Sequence, residues 1–487
     1  MANSTAWKMA AAFMFCAATT ISSPAQVFTT LVNFEGANGN GPYLTSLVQS
    51  TDGSLYGTTF YGGVNNDGYP ASGTVFKITR GGKPITLYSF CIQSNCANGG
   101  APGAGLLKAT DGNFYGTTEV GGSNFGGTVF KMTPGGTLTT LYSFCTQSNC
   151  ADGSGPVAAL IEAADGNFYG TTEVGGGGIC MGGCGTIFRI SPTGTLTTLH
   201  RFDSTDGAYP YAPLVQAIDG FFYGTTQVGG ANDLGTVFKI TSAGRLTTLH
   251  SFDGTDGGNP ADGMIQAPDR NFYGTTAGGG ANSGGTVFKI TPVGALTTIY
   301  NFCGESNCED GDAPVAGLIL ATDGSFYGTT AVGGGGSGAD CNTAGCGTIF
   351  KITEAGALTT LHRFTGYPDD GAWPQGNLLQ ATNGNFYGTT FWGGDANEGT
   401  VFSLSTGLGP FVAFVRSYGR VGQTGSILGQ GFTGTTSVSL NGMSASFTVV
   451  SDTFIRATVP LGATTGYVTV TTPSGTLTSN VPFHVIK

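Results

Sequence analysis

The chain has 487 residues, of which 86 are Gly, 10% are charged and 39% are hydrophobic. That apolar share excludes a disordered chain, and the Gly- and aromatic-rich, charge-poor balance points to an all-β protein with many turns. The formal charge of −11 comes without any basic patch, which excludes a nucleic-acid partner.

Residues 1–25 read as a secretory signal. Lys8 is their only charge, an apolar run follows at 9–18, and Ser23-Pro24-Ala25 is a small-x-small cleavage site. The run is too short to span a bilayer, so no integral membrane segment is expected in a mature chain beginning at Gln26. Cleavage removes one Lys and no acid, leaving the mature chain one unit more negative. Setting Cys16 aside, ten cysteines form five local pairs: Cys91 with Cys96, Cys145 with Cys150, Cys180 with Cys184, Cys303 with Cys308, and Cys341 with Cys346. In an exported chain these read as disulfides. The zinc reading is the weaker one, because the spacings exceed CxxC and none of the four His lies near a pair.

A repeat dominates the chain. Phe-Tyr-Gly-Thr-Thr begins at Leu55 (with Leu for Phe), Phe114, Phe168, Phe222, Phe272, Phe326 and Phe386, at intervals of 50 to 60 residues. Each unit carries four short strand-like runs; in the second these are 105–109, 114–118, 127–133 and 137–144. Asp111-Gly112 and Gly135-Gly136 mark the tight turns inside it. Four antiparallel strands repeated seven times predict a seven-bladed β-propeller over residues 26–406. The seventh unit stops after three strands. Residues 27–34, Val-Phe-Thr-Thr-Leu-Val-Asn-Phe, resemble the fourth strand at 138–144 and are expected to complete it, closing the ring and removing an open edge. Both faces of a blade strand are buried, so Phe114 and Tyr115 are both core candidates, and Gly116 marks a bulge or the close approach of a neighbouring blade. The motif itself is read as blade packing.

From residue 409 the composition shifts to Val, Thr, Ser and Gly. Seven short runs (411–417, 424–429, 437–440, 444–450, 453–458, 466–471 and 480–485) predict an immunoglobulin-like β-sandwich over 409–487. The pattern Asp-Gly-x-Phe-Tyr-Gly-Thr-Thr, then Gly-Thr-Val-Phe-Lys-Ile-Thr, then Leu-Thr-Thr-Leu resembles the GloVer (Gloeo/Verruco) tandem repeat over roughly residues 27–406. The C-terminal stretch resembles an IPT/TIG domain at Gly429-Gln430-Gly431-Phe432, Val438-Ser439-Leu440-Asn441-Gly442, Ser451-Asp452-Thr453 and Thr469-Val470-Thr471-Thr472-Pro473-Ser474-Gly475. The resemblance implies a bacterial secreted or surface protein of unassigned activity and supplies no catalytic residues. Its members carry varied C-terminal anchors; here no hydrophobic anchor follows the last domain, which leaves free secretion or attachment through another protein open.

Enzyme motifs are missing: no HExxH, GxSxG or GxxxxGK[ST] occurs. The GxGxxG matches at 333–338 and 429–434 open no helix and cannot present its N-terminus to phosphate. No catalytic residue, metal or cofactor is therefore expected, apart from weak Ca²⁺ binding at Asp203, Asp206, Asp253, Asp256, Asp369 and Asp370, which turn chemistry explains better. His200, His250 and His362 lie on separate outer strands and read as half-exposed strand residues.

The first-to-second and third-to-fourth turns are short and uniform, whereas the other loops vary, share one face and hold all five Cys pairs. Variable loops on a rigid scaffold are where binding concentrates. After the motif, the middle blades carry Glu119-Val120, Glu173-Val174, Gln227-Val228, Ala277-Gly278 and Ala331-Val332. The neighbouring blades one and seven carry Phe60-Tyr61 and Phe391-Trp392, and Trp373 enters blade seven. These five aromatic residues are the candidate ligand contacts, for stacking on a sugar or on a partner's apolar patch; packing across the closure seam is the competing reading. The expected function is a monomeric, non-enzymatic binding or scaffold protein that recognises polysaccharide or a surface protein. The alternatives are a carbohydrate-acting lyase or lactonase-like hydrolase, for which the sequence offers few acids at the channel mouth, and a purely structural surface protein.

Overall fold

The computed structural model describes residues 26–64, 72–335, 338, 341 and 345–486. The signal segment lies outside the described residues. Seven four-stranded antiparallel sheets follow one another along the chain. In the second they are Leu107–Lys108, Phe114–Thr118, Thr128–Met132 and Leu138–Ser143, each end within two residues of the predicted runs. The protein is a seven-bladed β-propeller. The last blade takes its outer strand from the N-terminus: Val27–Asn33 pairs antiparallel with Thr400–Ser405, Val27 opposite Ser405 and Asn33 opposite Thr400.

The recurring motif is the mortar between blades. Its Tyr stacks on the Phe of the next blade: Tyr56 on Phe114 at 4.3 Å, Tyr115 on Phe168 at 4.1 Å, and so on to Tyr327 on Phe386 at 4.2 Å. Such ring pairs contribute about 0.5–1.5 kcal/mol each beyond simple burial. Leu55 replaces Phe in blade one, so Tyr387 meets an aliphatic side chain there. The first Thr of each copy donates to a carbonyl of the following blade: Thr58 to Ala104 (2.8 Å), Thr225 to Asp262 (3.2 Å), and Thr389 across the closure to Thr45 (3.1 Å). The second Thr stays inside its blade; Thr118 shares a hydrogen with Thr128 at 2.8 Å. Gly116 does face a close approach, but from within its own blade: a Cβ there would lie 2.5 Å from the Phe130 ring and 3.1 Å from Leu106. Gly127 starts the third strand at φ +88°, where a Cβ would strike the Thr118 carbonyl at 2.3 Å.

The short turns form one face. Asp111 accepts from the backbone and side chain of Asn113, from Tyr115 Oη (2.9 Å) and from Lys131 Nζ (2.8 Å). Burial works against its charge, but these donors outweigh burial and hold its carboxyl at about 2. Asp269 and Asp323 repeat the Tyr-and-Lys arrangement; in blade seven Asn383 takes the place of the acid and donates to Tyr387.

The C-terminal β-sandwich pairs the sheet of Ala413–Phe414, Thr424–Leu428, Phe454–Thr458 and Phe447–Ser451 with that of Met443–Ser444, Ser437–Leu440, Val468–Thr472 and Gly475–Thr478. Phe432, Val438, Ile455, Val470 and Phe483 fill its core. The strand Gly475–Thr478 is not among the predicted runs; it follows directly on the Thr-Pro-Ser-Gly turn at 472–475. This domain sits on the turn face. Thr453 Oγ1 donates to the Thr51 carbonyl (2.7 Å), Gln430 Nε2 to Thr382 Oγ1 (3.0 Å), and Tyr418 Oη to the Glu162 carbonyl (2.8 Å). It thereby grips blades seven, one and three. No helix among the described residues is long and apolar enough to cross a membrane.

Candidate functional site

The residue after each Gly-Thr-Thr faces the loop-side end of the propeller axis. Around the ring this position reads Phe60, Glu119, Glu173, Gln227, Ala277, Ala331 and Phe391. Strand side chains alternate, and Trp392, the next residue in blade seven, packs partly buried against the blade six to seven core, whereas the Tyr61 ring of blade one lies 6.4 Å from Phe391. A second tier comes from the segment entering each blade, one residue past its Pro, and includes Tyr43, Tyr211 and Gln375.

The two tiers meet. Tyr43 lies edge-on to Phe60 (5.3 Å between centroids) and to Phe391 (5.7 Å), and Phe60 lies edge-on to Tyr61 (4.7 Å). Phe391 in turn contacts Trp392 at 4.7 Å. Four of the five predicted aromatic residues thus form one half-buried cluster around Tyr43, which the sequence reading missed. Trp373 makes no ring contact with it and packs instead, as Trp392 also does, against the blade six to seven core; its indole Nε1 is buried without a partner among the described residues. The seam-packing reading therefore fits Trp373 and Trp392, while Tyr43, Phe60, Tyr61 and Phe391 border the mouth.

Facing the aromatic side is a pair of acids. Tyr211 Oη donates to Glu173 Oε1 at 2.5 Å. Burial and the charge of Glu173 push the Glu119 carboxyl up to about 7. Burial, with the charges of Glu119 and Glu173, also raises the Tyr43 hydroxyl, and burial with the Glu173 contact raises Tyr211. No salt bridge to Glu119 or Glu173 exists among the described residues. The acids at the mouth are few, and position in the ring brings these two together.

Deeper on the axis is a narrow cavity of about 20 Å³, lined by Leu44, Ser46, Tyr211, Asp262 and Asn377 among others. That is room for about one water molecule. Blades two, three, four and six carry Ala104, Ala158, Ala212 and Ala316 where blade five carries Asp262. The Asp262 carboxylate is buried and accepts from the Gly317 amide at 3.2 Å, while Asn377 Oδ1 accepts from the same amide at 2.6 Å. Burial pushes its carboxyl up to about 6.

The remaining predictions fall on the scaffold. All five expected disulfides form, in loops of the face that carries the mouth: Cys91 is bonded to Cys96, Cys145 to Cys150, Cys180 to Cys184, Cys303 to Cys308, and Cys341 to Cys346. Cys96, Cys150 and Cys308 each end a single 3₁₀ turn, Ser94–Cys96, Ser148–Cys150 and Ser306–Cys308, so three of the bridges close the same loop shape in blades one, two and five. Cys184 and Cys346 lie instead just before a third strand, Thr186–Ile190 and Thr348–Ile352, and both are fully buried in the blade cores. His200, His250 and His362 each pair with a loop aspartate, Asp206, Asp256 and Asp370, at 2.6–2.7 Å. Tyr142 and Tyr300 do the same with Asp152 and Asp310 in their blades, so the His residues pin loops and do not converge. Asp203 and Asp253 accept from Thr205 and Thr255 as turn residues. Among the described residues the one grouping of three metal-ligand side chains is Cys303, Cys308 and Asp312, and its two sulfurs are joined to each other.

The sheets and their closure define a propeller built from tandem repeats. The Gloeobacter/Verrucomicrobia repeat matches the chain in four overlapping registers, at residues 17–219, 68–270, 178–341 and 216–449, and the chain belongs to that family. Among curated proteins none matches its sequence. Solved structures similar to it include a gluconolactonase from Xanthomonas campestris (14% identity, 60% of this chain and 81% of that one, TM-score 0.37). A luciferin-regenerating enzyme is 9% identical over 80% of this chain and 98% of its own (TM-score 0.39). An auxiliary nutrient binding protein from Bacteroides thetaiotaomicron is 12% identical over 78% and 76% (TM-score 0.40). These likenesses are too distant to carry an activity to this chain.

Proposed function

We propose that this is an exported, non-enzymatic carbohydrate-binding protein whose ligand enters the loop-side mouth of the propeller. One observation carries the reading: Tyr43, Phe60, Tyr61 and Phe391 share a mouth with the hydrogen-bonded carboxylate and phenol of Glu173 and Tyr211. Flat rings match the apolar face of a pyranose, and carboxylates accept its hydroxyl protons. Five disulfides support export. The C-terminal sandwich is read as an IPT/TIG domain that supports the opposite face. The test is a glycan array probed with wild type, Phe391→Ala and Glu173→Gln. Saccharide binding by wild type that Phe391→Ala weakens across the array and Glu173→Gln changes in range is the expected result; no binding by folded wild type defeats the reading.

A second reading, a carbohydrate-acting enzyme on the same mouth, draws on the unequal carboxyls. Glu173 accepts from a phenol, while burial lets Glu119 hold a proton near neutrality, a pairing suited to acid–base work. Release of new reducing ends from a bound oligosaccharide, lost in Glu119→Gln, would select it.

A further inference from the structure

Resting on the carbohydrate reading, we infer that the ligand is a cationic amino sugar, its ammonium groups directed at Glu119 and Glu173 and its apolar ring face at Phe60 and Phe391. The argument begins with what the mouth lacks. On the turn face four acids are matched: Asp52, Asp111, Asp269 and Asp323 each hold a lysine at 2.7–2.9 Å. Glu119 and Glu173 sit half-buried with no Lys or Arg paired to either among the described residues. The charges felt at Tyr43 and Tyr211 are those same two carboxylates and neighbouring tyrosines. Two partly desolvated carboxylates that repel one another are a standing cost to the fold, and an ammonium group between them relieves both the repulsion and the desolvation.

The ring explains why a sugar, and not any cation, fits. The aromatic side comes from blades seven and one and the acids from the adjoining blades two and three, with Gln227 and the small Ala277 and Ala331 completing the ring. A pyranose laid on Phe391 and Phe60 therefore has its edge substituents toward the acids. An aromatic wall beside carboxylates adds cation–π attraction to the ion pair. A neutral sugar would use the rings and leave the acids mutually repelling.

The experiment is calorimetric titration of the full-length protein with fully deacetylated glucosamine hexamer, its N-acetylated counterpart, cellohexaose and hexalysine. The glucosamine hexamer should bind at least about tenfold tighter than cellohexaose at low salt, and the margin should shrink as ionic strength rises. Glu119→Gln/Glu173→Gln should erase that margin while retaining cellohexaose binding, with circular dichroism and thermal melts confirming the fold. Phe391→Ala should weaken both sugars. Equal affinity for glucosamine hexamer and cellohexaose overturns the amino-sugar assignment and leaves the carbohydrate reading standing. Hexalysine binding as tight as the glucosamine hexamer also overturns it, in favour of a basic peptide. Binding of no saccharide at all by the folded protein overturns both readings.

Discussion

The two faces of the propeller treat their acids in opposite ways. On the turn face the aspartates are surrounded by donors; Asp111 receives Asn113, Tyr115 and Lys131 at once. At the loop-side mouth, Glu119 has only another acid for electrostatic company. The repeat is faithful where blades must lock and irregular where the ring opens to solvent. Departures from the repeat, Glu119, Glu173 and Asp262 among them, therefore mark the positions that do something other than hold blades together.

The largest test removes the frame on which both faces depend. Deleting residues 27–33 strips the outer strand from the last blade and leaves Thr400–Ser405 as an open edge. The expected outcome is loss of a single cooperative transition in calorimetry and concentration-dependent aggregation. A sharp melt at the wild-type temperature would show that closure does not depend on this strand.

Next, Glu119→Gln should stabilise the protein above pH 7. The native carboxyl titrates near 7, above its ordinary 4.5, so the native state holds the proton longer than the unfolded chain. Its contribution to stability therefore falls as pH rises from about 4.5 through 7. Denaturant melts should show a gain on the order of 2 kcal/mol at pH 8 and almost none at pH 4. Asp111→Ala should do the reverse. It leaves Lys131 and Tyr115 without their acceptor and costs about 1 kcal/mol at pH 7, solvent screening included. Its carboxyl is held at about 2, below the ordinary 3.8, so the loss vanishes as pH falls from about 4 toward 2. If both substitutions moved stability in the same direction at pH 8, the contrast between the faces would collapse.

The smallest effect is expected at the axis. Asp262→Ala installs the residue that four other blades use, and Gly317 keeps its bond to Asn377. With the Asp262 carboxyl raised to about 6, its cost appears as pH rises from about 4 to 6. The Ala variant should gain about 1 kcal/mol at pH 8 and nothing at pH 4. Chemical denaturation at the two pH values measures it, and an equal loss at both would make Asp262 a structural plug.

Much of this architecture was legible because it is periodic. Seven copies of one phrase fix the blade count, and the likeness of residues 27–34 to 138–144 fixes the closure. The disulfides followed from local pairing within single loops, Cys91 with Cys96 and Cys180 with Cys184 alike. The mouth was less legible, for a geometric reason. Glu119 and Glu173 are 54 residues apart in sequence and become neighbours only because equivalent positions of adjacent blades converge on the axis. Radial depth leaves no trace in a linear repeat. Aligning the copies column by column would have separated Phe60, Glu119, Glu173 and Phe391 from Val120, Val174 and Trp392; reading each dipeptide as a unit merged two faces. Asp262 had a signal of its own, the one acid in a column of Ala, Thr and Gly. Tyr43 had a fainter one, its place directly after Pro42 like Tyr211 after Pro210, which the extra residue before Leu47 obscures.

The seat of the C-terminal domain has a mechanical consequence. The ring is closed by backbone hydrogen bonds between Val27–Asn33 and Thr400–Ser405, the joint where its two ends meet. The domain that leaves this joint reaches back through Thr453, Gln430 and Tyr418 to blades one, seven and three. A pull on the C-terminal domain must first peel it off three blades before tension reaches the last sheet. The domain thus works as a strain relief, like the clamp that keeps a tugged cable from loading its solder joint.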